Sequence, residues 1–416
     1  MLNISMIPRT NEIEVELSTK CTLSCSECPR VTHKDTISLW NDGFLKTKPF
    51  LDNIDSFYKN IMISGAYGDP IYHPDMADIF HHLVNLENNI QIRYETNGGY
   101  VSKEKWKRMA EALTSNQQYN LNRKEKISFS IDGSPSNFTK YRTNGDWEGT
   151  RLGLEIFGEY GIRTQWKFIT FEFNTNFETL KSVYDTALQY NVDEIKIMHT
   201  TRAREGDYVS IDNFLDVINL LEKYSEDIDT NYVKPKILVG VAPGNRRYWP
   251  ETEPLRKHKF WEYSQYKQRQ ENKEFKEVVS GSGAVFRYHN STGSKTIQQP
   301  KQITKVKNIE PINVWDKQLY PQCIKNNWKN FIGGDGKLLP CCYLRAAGPE
   351  RLQQTIDVLG DKWQDLSIYN NTISDIVKSD AWKILGDNLL SYDTCHVKCP
   401  SKDLMPKESI SNSLFA

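Results

Sequence analysis

Residues 21–28 read Cys-Thr-Leu-Ser-Cys-Ser-Glu-Cys, directly after a short stretch, residues 13–17, with the composition of a β-strand. Three cysteines this close together can hold three corners of a cubane iron–sulfur cluster, since such clusters are ligated by cysteine sulfur. No fourth cysteine lies nearby, so the fourth iron would stay open to a ligand that is not protein. The stretch therefore predicts a cluster site at the end of the first strand.

The C-x3-C-x2-C spacing of Cys21, Cys25 and Cys28 resembles the signature of the radical S-adenosylmethionine (SAM) superfamily. The resemblance implies a [4Fe-4S] cluster that binds SAM and cleaves it to a 5′-deoxyadenosyl radical, which abstracts hydrogen from a substrate. A zinc knuckle or three buried thiols are the alternatives. His33 could complete a zinc site, but structural zinc usually takes four ligands, often in C-x2-C pairs, and nothing else here follows that spacing.

The composition describes a chain of 416 residues with 53 basic and 53 acidic side chains, and so with no overall preference for an anionic partner. At this length we expect two or three domains. The sequence has no apolar run of about 18 residues and no signal peptide, so we expect no membrane contact and a cytoplasmic location. Eight cysteines in a reducing compartment favour metal or cluster binding over disulfides.

Short β-type runs alternate with amphipathic helical patterns from about residue 12 to 226, which predicts an α/β fold with a parallel sheet. The predicted strands are Ile13–Leu17, Asn60–Ser64, Ile90–Glu95, Lys126–Ile131, Thr164–Thr170 and Glu194–Met198. The predicted helices lie near 42–58, 75–88, 102–115, 147–159, 176–189 and 210–226. The resemblance implies a partial (β/α)6 barrel over residues 1–226. Its site is expected at the carboxyl ends of the strands, where the three cysteines fall.

Further stretches resemble superfamily elements at the ends of the later strands. Residues 64–70, Ser-Gly-Ala-Tyr-Gly-Asp-Pro, resemble the G-G-E-P element, whose backbone and acid bind the SAM ammonium. The resemblance implies that SAM is contacted by Gly65, Gly68, Asp69, Thr96, Asn97, Ser130, Asp132, Arg142 and Asn174. Arg142 is the candidate for the SAM carboxylate, because a guanidinium binds carboxylates bidentately. Ordinary turns and a surface salt bridge are the alternatives, and His199 could face the substrate or be structural.

The other five cysteines lie between residues 323 and 399. Cys323, Gly336 and Cys341 have the spacing that opens SPASM and twitch extensions, which carry auxiliary [4Fe-4S] clusters. The resemblance implies an α+β twitch-like domain over residues 316–416. Its single auxiliary cluster would be held by Cys323, Cys341, Cys395 and Cys399, with Cys342 to spare. A four-cysteine zinc site is the alternative. Residues 330–341 are expected to form a β-hairpin with a glycine-rich turn.

Residues 227–315 are predicted to be an insert between the two modules. Its part 234–307 contains sixteen Lys or Arg, six Glu and no Asp, with aromatic residues interleaved. Such a segment could bind single-stranded nucleic acid, a nucleotide or an acidic peptide. It could equally be a solvated lid on the barrel.

These features predict a radical SAM enzyme of oxidoreductase type, and the resemblance implies an external flavodoxin or ferredoxin-type electron donor. A peptide or protein, or a small metabolite, is the expected substrate. A nucleotide- or sugar-modifying dehydrogenase or epimerase is the alternative. Because the cluster motif begins at residue 21, we expect no leader-peptide recognition domain ahead of it. The competing hypothesis from another class is a non-catalytic iron–sulfur or zinc protein that binds nucleic acid.

Overall fold

The computed structural model describes residues 9–32, 43–65, 67–86, 90–116, 119, 125–199, 209–229, 233–241, 275–279, 285–289, 329–346 and 349–388. Its main element is a nine-stranded sheet with the order β11-β10-β1-β2-β3-β4-β5-β6-β7. These strands are β1 Glu12–Val15, β2 Asn60–Ile63, β3 Gln91–Thr96, β4 Lys126–Ser130, β5 Thr164–Thr170, β6 Glu194–His199, β7 Lys236–Val241, β10 Asn330–Ile332 and β11 Leu338–Leu339. A separate antiparallel pair consists of β8 Phe275–Val279 and β9 Val285–His289.

Helices connect successive strands of the sheet. They are α1 Pro29–Thr32, α2 Thr47–Asn53, α3 Met76–Val84, α4 Lys103–Thr114, α5 Trp147–Glu159, α6 Phe177–Gln189 and α7 Ile211–Asp227. After the last hairpin follow α8 Tyr343–Ala346, α9 Pro349–Leu359, α10 Ile373–Ile376 and α11 Asp380–Asn388. Several helices begin at a side-chain cap that satisfies an otherwise unpaired backbone N–H. Ser102 accepts from the backbone N–H of Lys105 at the start of α4, for example.

The predicted α/β partial barrel is confirmed. Each of the six predicted strands and six predicted helices is present, with ends that differ by up to five residues. All pairs from β10 through β1 to β7 are parallel, and β10–β11 is antiparallel. The carboxyl ends of β1 to β7 therefore meet at one edge of the sheet.

Three strands of this sheet, β7, β10 and β11, lie outside the predicted barrel. β7 falls within residues 227–315, which the sequence analysis assigned to the insert, and it pairs in parallel with β6 from Glu194↔Lys236 to His199↔Val241. Its apolar run was overlooked because the surrounding segment is strongly basic. β10 and β11 form the predicted hairpin, and β10 also extends the sheet next to β1, with Ile13 opposite Asn330. Because β1 and β10 lie far apart in the sequence, no local sequence pattern indicates that they pair.

The two faces of the sheet differ in chemistry because successive side chains of a strand point to opposite sides. One face is apolar and packs against the helices. Tyr94 of β3 contacts Phe80 of α3 edge-to-face, and Phe129 of β4 contacts Trp106 of α4. The opposite face, here called the polar face, carries Glu14, Glu95, Ser128, Ser130, Lys167 and Lys196. The apolar face forms the core, which leaves the polar face available for a site.

The C-terminal segment is attached to the barrel beside β1. The turn of its hairpin needs glycine at position 336, where φ is +76° and a Cβ would lie 2.6 Å from the ring of Tyr369. The Asn53 side chain at the end of α2 donates to the carbonyl of Ile368 and accepts from the N–H of Ile373. These bonds hold the segment 368–373 against the first βα unit.

No helix in the described part of the chain is long and apolar enough to cross a lipid bilayer. Most of the basic segment 234–307, including six of its nine aromatic residues, lies outside the described residues. The hypothesis that this segment binds nucleic acid or a nucleotide is therefore untested.

Candidate active site: a cysteine pocket at the carboxyl ends of the strands

The three cysteines of residues 21–28 lie in a tight loop between β1 and α1. The N–H of Cys28 donates to the carbonyl of Cys25 at 3.1 Å, which brings these two residues into one turn. The N–H of Ser24 donates to the carbonyl of Thr143 at 3.0 Å, and this bond ties the loop to the segment that follows β4. Cys25 is 4% exposed, while Cys21 and Cys28 are half-buried. The loop thus places its thiols at the edge where the strands end.

A pocket opens at this edge and brings together residues from four strand ends. Its wall contains these residues predicted from the sequence: Cys21, Cys25, Cys28, Gly65, Gly68, Asp69, Thr96, Asn97, Ser130 and Arg142. The same wall contains four residues that the sequence analysis missed, Leu23, Arg30, Tyr67 and Glu95. Their positions in the sequence could have indicated them, because each lies within two residues of a residue that was predicted to belong to the site. Only the folded structure shows which of these neighbours face the pocket.

Asp69 organises the floor of this pocket. Its Oδ1 accepts from Thr96 Oγ1 at 2.8 Å and from the N–H of Ile71 at 2.9 Å, and its Oδ2 accepts from the N–H of Asn97 at 2.5 Å. Burial raises the pKa of this carboxyl, while these hydrogen bonds oppose the increase. Asp69 therefore fixes the end of β3 relative to the loop after β2.

The two predicted glycines of the loop after β2 are required by close packing. A Cβ on Gly68 would lie 2.0 Å from the carbonyl oxygen of Ser18, and one on Gly65 would lie 1.9 Å from that of Gly68. The N–H of Asp69 also donates to the carbonyl of Lys20 at 2.8 Å. Glycine thus lets this loop approach the backbone that leads into the cysteines.

Two side chains donate toward the thiols. Asn97 Nδ2 lies 3.4 Å from Cys21 Sγ, and Arg142 Nη1 lies 3.8 Å from Cys25 Sγ. Burial and then the Asp69 carboxylate raise the pKa of Cys21 to about 12. Burial also raises the pKa of Cys25, against the lowering effect of Arg142. A metal or cluster bound here would have to displace the thiol protons, because cysteine ligates metals as the thiolate.

Asp132 and Asn174 lie behind the pocket wall, although the sequence analysis placed them among the SAM contacts. Asp132 is fully buried, forms an ion pair with Arg142 and accepts from the N–H of Ile169 at 2.6 Å. Asn174 Nδ2 donates to the carbonyls of Asp132 and Ile169, each at 3.0 Å, and its Oδ1 accepts from the N–H of Phe171. Both residues support Arg142 and the end of β5 through bonds within the protein.

The pocket residues fit a cluster with a bound small molecule. Nε of Arg142 is buried and has no hydrogen-bond partner among the described residues, so the pocket wall retains a donor. Among those residues, no three His, Cys, Asp or Glu side chains are close enough to hold a single metal ion. Cys21, Cys25 and Cys28 nevertheless line one common pocket. His33 lies outside the described residues.

The C-terminal cysteines are described only in part. Cys341 and Cys342 follow the β10–β11 hairpin and pack against the core, while Cys323, Cys395 and Cys399 lie outside the described residues. Burial raises the pKa of Cys342, and the Glu14 carboxylate raises it further. Cys342 is thus close to the polar face of β1. None of the five described cysteines forms a disulfide.

His199 is buried at the end of β6 and has a structural contact. Its Nε2 lies 2.7 Å from the carbonyl of Val209, and its ring packs edge-to-face on Phe214. Burial lowers the pKa of His199, which favours the neutral ring. These contacts support the structural alternative for this residue.

Comparison with known proteins shows a family similarity over the part of the chain that contains the pocket. A sequence model described as the radical SAM superfamily matches residues 15–187. No curated protein matches the chain. Among solved structures, SuiB from Streptococcus suis is 13% identical, with a TM-score of 0.48 over 92% of this chain. The chain spans 66% of the length of SuiB, slightly less than two thirds.

Two further solved structures also have low sequence identity to this chain. The histidine-tagged protein anSMEcpe with bound AdoMet is 11% identical over 96% of this chain and 92% of its own, with a TM-score of 0.45. BtrN in complex with AdoMet and 2-DOIA is 12% identical over 97% and 98%, with a TM-score of 0.35. The matched residues run from the last residue of β1 into α6 and contain the cysteine loop and every pocket residue. The part of this chain that contains the pocket, residues 15–187, is therefore similar to the radical SAM superfamily.

Proposed function

We propose that this protein is a radical SAM enzyme in which Cys21, Cys25 and Cys28 ligate a [4Fe-4S] cluster whose fourth iron binds SAM. When bound, this pair would supply a 5′-deoxyadenosyl radical that abstracts hydrogen from a substrate. One observation carries the proposal. The three thiols of the superfamily motif share one pocket with the ends of β2, β3 and β4. The chain's own residues then have roles that follow from their contacts.

The pocket residues would position the cluster and SAM in different ways. Asn97 and Arg142 donate toward the sulfurs of Cys21 and Cys25, so they would stabilise negative charge on these ligands. Asp69 would act by holding Thr96 and Asn97 in place. Its remaining acceptor capacity, with that of Ser130 in the pocket wall, is available to the SAM ammonium.

The C-terminal segment is proposed to be a twitch-like domain with one auxiliary cluster. Cys323, Cys341, Cys395 and Cys399 remain the proposed ligands. The glycine-dependent hairpin directly before Cys341 supports this proposal, because it fixes that cysteine after β11, whose partner strand β10 pairs with β1. Tyr67 of the pocket wall donates to the carbonyl of Arg345 at 3.2 Å, so the cysteine pocket and the C-terminal segment are in contact.

The reaction is proposed to be an oxidation of a peptide, a protein or a small metabolite. An auxiliary cluster with four cysteine ligands has no open iron and therefore suits electron transfer from a substrate radical. A flavodoxin or ferredoxin-type protein would deliver the electron that starts each turnover.

Anaerobic reconstitution with iron and sulfide, followed by iron counting and a 5′-deoxyadenosine assay with SAM and dithionite, tests the proposal. We expect about eight irons per chain if both clusters form, together with formation of 5′-deoxyadenosine. Cys25→Ala should abolish 5′-deoxyadenosine formation. Stoichiometric zinc, or cleavage of SAM that persists in Cys25→Ala, would contradict the proposal.

A further inference from the structure

The cysteine loop has a solvent side as well as a pocket side. Leu23 and Cys25 are buried and line the pocket. The residues that alternate with them, Thr22, Ser24 and Ser26, are exposed. One short loop therefore separates the pocket from solvent, and a cluster bound to its cysteines would lie directly beneath this exposed side.

On one side, the exposed surface continues into the loop after β3. Thr22 Oγ1 lies 2.6 Å from the hydroxyl of Tyr72, which in turn donates to the carbonyl of Gly99 at 3.2 Å. The next residue along the chain is Tyr100, which is 59% exposed. The Tyr72 hydroxyl thus holds Tyr100 beside the cysteine loop.

On the other side, the surface continues into the segment that follows β4. Asn144 is exposed, and its Nδ2 donates to Ser24 Oγ at 3.5 Å. Two residues later, Asp146 Oδ2 accepts from the N–H of Tyr100 at 2.8 Å. These contacts return to Tyr100, so one continuous surface, here called the outer face, is formed by Thr22, Ser24, Ser26, Tyr100 and Asn144.

Tyr100 has an unusual backbone conformation for its residue type. Its φ is +55°, which lies in the left-handed region that bulky side chains rarely adopt. Asparagine or glycine would adopt this conformation more easily, without exposing an aromatic ring to water. Backbone strain of this kind is concentrated at functional sites, and tyrosine is enriched in protein–protein interfaces. An exposed and strained tyrosine beside the cysteine loop is therefore typical of a contact surface for another protein.

Two exposed lysines flank the outer face. Lys20 directly precedes the cysteine loop, and Lys140 ends the short helical turn before the segment that contacts Ser24. Their ammonium groups lie over the rings of Phe44 and Phe173, respectively. Within the described part of the chain, neither lysine forms an ion pair. Both positive charges are thus available to a partner.

The acidic residues near the outer face are already engaged. Asp146 accepts from N–H groups at the start of α5, where the helix dipole compensates a negative charge. Glu148 is paired with Arg151. Glu27 is half-buried in the cysteine loop and interacts within the protein. The charges left for a partner are therefore positive, which complements an acidic protein.

We propose that the outer face is the docking surface of the electron donor, an acidic one-electron carrier protein, with Tyr100 and Lys140 among its contact residues. This inference rests on the proposed function, since it names the surface at which the partner of that reaction binds. Electron transfer slows steeply as the distance between two redox groups grows, so the donor must dock where little protein covers the cluster site. At each productive encounter the donor is oxidised by one electron, and the cluster is reduced by the same electron.

Stopped-flow absorbance of the reconstituted full-length protein tests the outer face. The rate of cluster reduction is measured with flavodoxin hydroquinone and, separately, with dithionite, a small reductant that needs no docking surface. Tyr100→Asn removes the ring and keeps a residue suited to the positive φ. It should slow reduction by flavodoxin about tenfold, as expected for loss of an aromatic interface residue, and leave reduction by dithionite unchanged.

A second variant tests the charge. Lys140→Gln should slow reduction by flavodoxin at low ionic strength and have less effect at high ionic strength, because salt screens attraction between exposed charges. Lys59→Gln is the matched control, since Lys59 is exposed directly before β2, at the opposite edge of the sheet. Leu220→Gln is the control for Tyr100, because Leu220 is 51% exposed on α7. Both controls should be reduced as fast as the wild type.

Three results would overturn the inference. They are equal rates with flavodoxin in all variants, an equal slowing with dithionite, and a change from dimer to monomer in Tyr100→Asn, which would make the outer face a contact between two copies of the chain.

The proposed function is measured separately, as 5′-deoxyadenosine formed with dithionite, because this assay needs no protein donor. If 5′-deoxyadenosine is absent but reduction by flavodoxin depends on Tyr100, the radical SAM activity is refuted and the docking surface stands. If 5′-deoxyadenosine forms in every variant and the rates with flavodoxin are equal, the docking surface alone is refuted. If no cluster forms, both are refuted.

Discussion

Nη1 of Arg142 lies 3.8 Å from Sγ of Cys25, although one residue follows β4 and the other follows β1. The other terminal nitrogen of the same guanidinium is ion-paired with the buried carboxylate of Asp132. Burial alone would lower the pKa of Arg142, but Asp132 raises it above its ordinary value. Arg142 therefore keeps its positive charge beside a cysteine proposed as a cluster ligand. This geometry adds a thiol contact to the SAM carboxylate role expected from the sequence.

Replacement of Asp132 by asparagine should destabilise the protein strongly. Asn tolerates the φ of +59° at this position, so the main effect is an unpaired buried guanidinium. Breaking a buried ion pair costs about 3 kcal/mol or more, measured as the free energy of urea unfolding. Asp52→Asn is the control, because the exposed Lys48–Asp52 pair contributes about 0.5 kcal/mol or less. Similar losses in both variants would contradict the bracing role of Asp132.

Replacement of Gly68 by alanine should disturb the cysteine loop. The new Cβ would lie 2.0 Å from the carbonyl oxygen of Ser18, and backbone on both sides leaves little room to adjust. Overpacking of this kind costs about 1–3 kcal/mol, and we expect reduced iron content after reconstitution. Gly240→Ala is a matched control, since its Cβ would meet nothing closer than 3.8 Å. Full iron content in Gly68→Ala would show that the two loops can separate without loss of the cluster site.

His73 should make the protein less stable in mild acid. It is 1% exposed, its Nε2 lies 2.8 Å from the carbonyl of Leu45, and its Nδ1 accepts from the N–H of Asp75. Burial lowers the pKa of His73 from 6.5. The unfolded chain therefore binds this proton at a higher pH than the folded protein does, so stability is retained above pH 6.5 and falls as the pH decreases below it.

The measurement is the slope of unfolding free energy against pH between neutrality and the onset of acid unfolding. His73→Asn should have a shallower slope than the wild type, whatever its stability at neutral pH. A slope remains, because burial also lowers the pKa of His199. An unchanged slope in His73→Asn would mean that other groups account for the acid sensitivity.

Removal of Cys341 should cost one cluster and leave the other intact. If Cys341 is a ligand of the auxiliary cluster, Cys341→Ala should reduce the iron content from about eight to about four per chain. Cys342→Ala is the adjacent control and should keep about eight. If the two variants show the reverse, Cys342 is the ligand, and the buried thiol near Glu14 takes the place of its neighbour.

The sequence by itself determined the local parts of this protein. Short β-type runs between amphipathic helical patterns predicted β1 to β6, because both patterns can be read within a few neighbouring residues. The close spacing of Cys21, Cys25 and Cys28 predicted the pocket at the carboxyl end of β1, since three ligands on one loop need no distant partner. The sequence also predicted the hairpin around Gly336, because glycine readily adopts the positive φ that the turn has at this position.

Only the tertiary structure decided which distant residues meet. The pairing of β10 with β1 and the ion pairs of Asp132 with Arg142 and of Glu95 with Lys167 join segments that carry no mutual signal in one sequence. Asn174 matched a motif position, yet its amide is used within the protein. Register between parallel strands is set by packing across the whole sheet. That register brought Lys167 and Lys196 together beside the cysteine pocket.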